Sequence, residues 1–127
     1  MKKGFTLMEL IIVVIIIGIL AMIGLPQFFN VAERGRSSEA ASILGAIRSA
    51  QLRYYAEHSA MTSNCTDLDV EIGNLRYFNA PVCTSATKNG FLASMASQAG
   101  NYTLSIYDNA SGLCCSTGTC PKGYKGC

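Results

Sequence analysis

The chain has 127 residues, 50% of them hydrophobic and 14% charged, with a formal net charge of +2. That length points to one domain, and so small a charge gives no argument for a nucleic-acid partner. Six cysteines, all in the second half, do not match the CxxC…CxxC zinc spacing, and the single histidine, His58, reads as a helix-end residue rather than a catalytic base.

The first stretch is the most unusual. Residues 10–25 read LIIVVIIIGILAMIGL, and between Phe5 and Phe29 the only charged side chain is Glu9. A membrane span needs about 20 apolar residues. Lys2 and Lys3 place their end in the cytoplasm, so the rest faces the outside. No small-residue signal-peptidase site follows the run. Gly4 precedes it, and a cut after Gly4 leaves the helix on the mature chain with a new amine on Phe5. Removing Lys2 and Lys3 also balances the basic residues against the acidic ones, which suits a protein that packs against itself.

Glu9 has two readings. A carboxylate in an apolar helix costs a few kcal/mol in a bilayer. It either pairs with a cation such as an amine at Phe5, in its own or a neighbouring helix, or stays wet among lipid headgroups. Gly18 and Gly24 weaken the helix and permit close helix approach, or are simply tolerated in a membrane helix. Pro26 removes a helical hydrogen bond, so a kink is expected near residues 22–25.

The string KKG-FTLMEL with the apolar helix behind it resembles the class III signal and N-terminus of type IV prepilins. Gly4 matches the residue before the prepilin-peptidase cut, and Phe5 the first mature residue, which that family methylates. Glu9 matches the family's glutamate, Pro26 its proline, and Gly18 its preceding glycine. The resemblance covers about a quarter of the chain. It implies a helix that leaves the inner membrane for a filament core, with Glu9 neutralising a neighbour's N-terminal amine and Gly18, Gly24 and Pro26 lending the helix flexibility.

From residue 27 to about 58 the pattern becomes amphipathic. Ala40, Ile43, Ile47, Ala50 and Tyr54 step by three and four, flanked by Leu44 and Gln51. Arg36 with Glu39, and Arg53 with Glu57, have the spacing of weak surface pairs. The whole helix would be roughly 80 Å long at the standard rise, so its first half must protrude. Residues 61–69 read as a loop, and 71–81 as a helical turn followed by an extended segment at 75–78. Residues 91–95, 102–107 and 113–116 read as strands, with a turn at 108–112.

Cys65, Cys83, Cys114, Cys115, Cys120 and Cys127 read as a disulfide framework in an oxidising compartment. Connectivity is open. Cys114 and Cys115 would face opposite ways on a strand, so they should have different partners. The expected arrangement is Cys65 with Cys83, and two bridges among the other four that pin the C-terminal tail. In the family one such bridge is common, so six cysteines are a departure.

The expected fold is α+β: a long N-terminal helix, protruding in its first half and packed in its second against a small antiparallel sheet with a disulfide-pinned C-terminal loop. Residues 1–4 form the leader, 5–30 the protruding hydrophobic helix, transmembrane and then filament core, and 31–127 the globular domain. The expected function is a non-enzymatic type IV pilus subunit, without cofactor or metal. It is a single-pass inner-membrane precursor, cut and methylated by the prepilin peptidase. It then joins a helical homo-oligomer on the cell surface through the pilus assembly machinery. Lys122 and Lys125 read as a solvated tail before they read as a weak patch for DNA or an anionic surface, and DNA or a host surface are the further partners considered, in adhesion, motility or DNA uptake. The alternatives are a type II secretion pseudopilin, whose principal members tend to use a calcium-bound acidic loop, and a bitopic membrane protein carrying a disulfide-rich binding module.

Overall fold

The structure, a computed structural model, describes residues 1, 4–85, 90–109 and 112–127. It contains two compact units, Met1–Glu33 and Arg34–Cys127. One helix, α1 at Leu7–His58, contributes to both.

In Met1–Glu33 every large apolar side chain from Phe5 to Val31 is exposed. The helix there is long and apolar enough to cross a membrane by length and composition. Pro26 lies inside it, and the carbonyl of Pro26 accepts a bond from Asn30 Nδ2 at 2.9 Å. Proline has no N–H to give the carbonyl one turn earlier, so the helix loses one rung there.

In Arg34–Cys127 the helix packs on a four-stranded antiparallel sheet of order β1-β2-β3-β4. The strands are β1 (Val82–Cys83), β2 (Phe91–Ala96), β3 (Tyr102–Tyr107) and β4 (Leu113–Gly118). Register places Met95 beside Leu104 and Leu104 beside Cys115, and likewise Ala93 beside Ile106 and Ile106 beside Leu113. Alternation puts these six on one face, and that face joins Ala40, Leu44, Ile47 and Ala50 of α1 in the core. A register shift between Phe91 and Ala93 accompanies the full burial of the intervening Leu92. The α+β class is as expected.

The buried stripe of α1 differs from the expected one. Its centre is Ser37, Ala40, Leu44, Ile47 and Gln51, all fully buried, while Ile43 and Tyr54 lie partly buried at its side. Apolarity alone mislocated the stripe because two central positions are polar. Both are satisfied: Ser37 Oγ bonds the Arg34 carbonyl at 2.9 Å and Tyr124 Oη at 3.1 Å. The Gln51 amide donates to the Thr62 carbonyl at 2.7 Å and accepts from the Thr62 N–H at 3.2 Å. A buried polar group that finds its partners carries little of the usual penalty.

The segment after the helix also departs from expectation. Ser59 ends α1 in a left-handed conformation, φ 56°, with its N–H on the Tyr55 carbonyl at 2.8 Å. The 61–69 loop holds a short 3₁₀ turn, Cys65–Asp67, capped by Asn64. No helical turn forms at residues 71–75, and the extended part reduces to a single bridge, Phe78 with Ser97. Glu39 explains the path. Its two carboxylate oxygens accept the consecutive N–H groups of Arg76 and Tyr77 at 2.8 and 2.9 Å, which ties this segment to the helix in an extended form. Ala110 and Ser111 of the expected 108–112 turn lie outside the described residues. Beside them Gly112 adopts φ 57° and its carbonyl accepts the Tyr107 N–H at 3.0 Å.

The C-terminal tail runs beside β4. Cys115 N–H donates to the Lys125 carbonyl at 2.9 Å, and Cys127 N–H donates to the Cys115 carbonyl at 3.0 Å. On the far side of β2, residues 77–84 bond its outer edge: Gln98 N–H reaches the Tyr77 carbonyl, Asn79 N–H the Ala96 carbonyl, and Thr84 N–H the Leu92 carbonyl.

Candidate functional site

The N-terminal residues singled out from sequence lie together at the start of α1. Thr6 precedes the first helical residue, and Glu9 sits in the first turn. Glu9 N–H donates to Thr6 Oγ1 at 3.3 Å. In return Glu9 Oε2 accepts from the Thr6 N–H at 2.9 Å and from the Thr6 hydroxyl at 2.8 Å. This is a reciprocal cap, which satisfies N–H groups that a helix start leaves orphaned. Among the described residues every bond to Glu9's carboxylate falls on Oε2, and Oε1 accepts none. Sequence reasoning sought Glu9's partner in an amine at Phe5 or in water and overlooked Thr6. The T-x-x-E spacing before an apolar run was the available signal.

Gly4 and Phe5 are exposed, just ahead of the cap. A methyl group added at Gly18 or Gly24 would meet nothing within 4 Å, so no contact inside the chain demands glycine there.

The other functional candidates, the cysteines, form three bridges: Cys65–Cys83, Cys114–Cys127 and Cys115–Cys120. Cys65–Cys83 links the 3₁₀ turn to β1. Cys115 lies in the core face of β4, while Cys114 beside it is buried outside that core cluster. The adjacent cysteines therefore hold the tail from opposite faces of one strand. Tyr124, between the two tail cysteines, meets Ser37 on the helix. Among the described residues no group of His, Cys, Asp or Glu side chains is arranged to hold a metal ion.

Residues 1–25 match the family model described as the prokaryotic N-terminal methylation motif. The fimbrial protein EcpC of Eikenella corrodens is 34% identical over 100 residues, covering 78% of this chain and 65% of that protein. Both matches make the chain similar to type IV pilins and fimbrial proteins. The pilin PilE1 of Neisseria gonorrhoeae, named a type IV major pilin protein, is 40% identical over 70 residues, 55% of this chain and 42% of that one. The similarly named pilin PilA of Myxococcus xanthus is 49% identical over 56 residues, 44% of this chain and 26% of that one. The chain thus spans 65% of the first relative and less than half of the other two. No solved structure matches it at a significant level. Pilins are a structural, non-enzymatic family, and the exposed apolar helix, the α+β unit and the disulfides fit that class.

Proposed function

We propose that this chain is a structural subunit of a type IV pilus. Its precursor sits in the inner membrane through the helix at residues 10–25 and is cut between Gly4 and Phe5. It is methylated on the new amine and polymerises into a surface filament through helix-to-helix packing. The observation that carries this reading is the apolar start of α1, exposed over its whole length and interrupted by one carboxylate.

The chemistry follows from the cap. An ionised Glu9 in lipid is penalised by about 3 kcal/mol at the centre of a span. Thr6 lowers that cost by donating two bonds to Oε2. Oε1 remains open to a further donor, and the strongest candidate is the cationic amine at Phe5 of an adjacent subunit. In apolar surroundings the attraction between the two exceeds its value in water. Thus a subunit whose Glu9 meets a neighbour's amine is favoured over one alone in the bilayer. Gly18, Gly24 and Pro26 mark where the helix deforms most easily as it exchanges lipid for its neighbours.

Intact mass of filaments sheared from cells tests the processing. The expected species begins at a methylated Phe5 and is lighter by two hydrogens for each of the three bridges. A species retaining Met1 to Gly4 would refute the cut. Glu9→Ala is expected to be cleaved normally yet to yield few filaments, and undiminished yield would remove the pairing argument.

A further inference from the structure

Among the exposed charges of the packed unit Arg34–Cys127, one basic and one acidic group lie at or beside well-separated parts of α1. At one, the C-terminal tail folds over the helix. Tyr124 reaches Ser37, and Gly123, at φ 108°, lies so close to Arg34 that a methyl group there would stand 3.5 Å from the guanidinium carbon. This brings exposed Lys122 and Lys125 to the neighbourhood of exposed Arg34. At the other, a cleft of about 170 Å³ is lined by Glu57, Asp67 and Asp69, with Arg53 at the same cleft. Among the described residues neither Glu57 nor Asp69 has a hydrogen-bonding or ionic partner, and both are exposed. The helical rise from Arg34 to Glu57 is roughly 35 Å, well beyond the screening length of about 8 Å at physiological salt. The two groups therefore do not neutralise each other within one molecule.

We infer that the Arg34/Lys122/Lys125 group of one subunit docks against the Glu57/Asp69 cleft of a second copy of this chain. The occupant is argued from complementarity. The chain supplies both signs on opposite ends of one packed unit, so each copy offers what the next one requires. Such a contact is heterologous and does not close on itself, which makes it propagate along a fibre. The inference rests on the filament reading. The two tail disulfides acquire a role in it, since they hold Lys122 and Lys125 in place on the helix. Each exposed pair is individually weak, but in a filament the contact recurs at every subunit.

The test uses the full chain as sole pilin, with sheared filament measured against total pilin. Two variants reverse one side each, Lys122→Glu/Lys125→Glu and Glu57→Lys/Asp69→Lys, and a third combines all four changes. All four side chains are exposed, so folding is preserved. With up to about 1 kcal/mol per pair, each single-sided variant should lose filament about tenfold, and the combined variant should recover most of it. Single-sided variants that assemble like the unaltered chain, or a combined variant that assembles no better than they do, would overturn the contact while leaving the pilus reading intact. Absence of filaments from the unaltered chain would instead overturn the pilus reading, and the contact with it.

Discussion

Replacing Gln51 by Met removes a buried polar side chain that stitches α1 to the loop at Thr62. Gln51 is fully buried, and Thr62 is 9% exposed. The amide closes a two-bond ring with the Thr62 backbone, at 2.7 and 3.2 Å. Methionine fills the same space but returns neither bond, so one N–H and one C=O are left buried. Each such group costs about 1–3 kcal/mol. Relief from burying the amide itself offsets about 1–2 kcal/mol of that. The net loss expected is about 1–4 kcal/mol. For a unit of this size about 1 kcal/mol shifts the melting temperature by 4–8 °C, so the drop should be at least about 4 °C. Thermal melting of the oxidised full chain in detergent, followed by near-ultraviolet circular dichroism, reads it directly. Hydrogen exchange at the Thr62 amide should accelerate in parallel. A melting temperature within about 3 °C of the unaltered chain would show that the loop does not depend on this pair.

Two further perturbations address the tail. Gly118 adopts φ 79°, and a methyl group there would overlap the Asn101 carbonyl oxygen. Gly118→Ala should therefore break the Tyr102 to Gly118 end of the β3–β4 ladder. Left-handed strain alone is about 1–2 kcal/mol, and faster exchange of the Thr119 amide, which bonds Asn101 O, would report the break. Chain-entropy estimates give about 3 kcal/mol each for Cys65–Cys83 and Cys114–Cys127, and about 2 for Cys115–Cys120. Together these approach the whole stability of a small domain. Reduction should therefore unfold the packed unit at growth temperature, whereas Cys115→Ser/Cys120→Ser alone should leave it folded with a lower melting temperature.

Elements set by local chemistry were legible from the residues. The long helix announces itself by its periodicity, and β2, β3 and β4 by alternation, so their positions matched to within a residue or two. The resemblance to type IV pilins was legible from Gly4, Phe5, Glu9 and Pro26, the first three of which lie in the stretch that the methylation-motif model matches. What could not be read depends on contacts between distant segments. The polar centre of the buried stripe needs Thr62 and Tyr124 to make sense of Gln51 and Ser37. The extended path at residues 71–77 needs Glu39, and the two residues of β1 exist only because β2 offers them an edge. Ser59 is a helix stop that only the backbone reveals, since glycine is the usual residue for a left-handed terminus. The Thr6 cap was legible in principle but was masked by the attention that the charge of Glu9 draws.

The tail alongside β4 and residues 77–84 alongside β2 have one further effect. A bare sheet edge is a template onto which another chain can add a strand, and crowding the molecule into a membrane or a fibre would multiply such encounters. Here part of each flank already has partners from the same chain: Cys115 of β4 pairs with the tail, and Leu92, Ala96 and the β1 pairs hold residues 79–84 against β2. Cys114–Cys127 makes the β4 partner difficult to peel away. Wherever copies of this chain are crowded together, those pairings oppose their fusion into a common sheet.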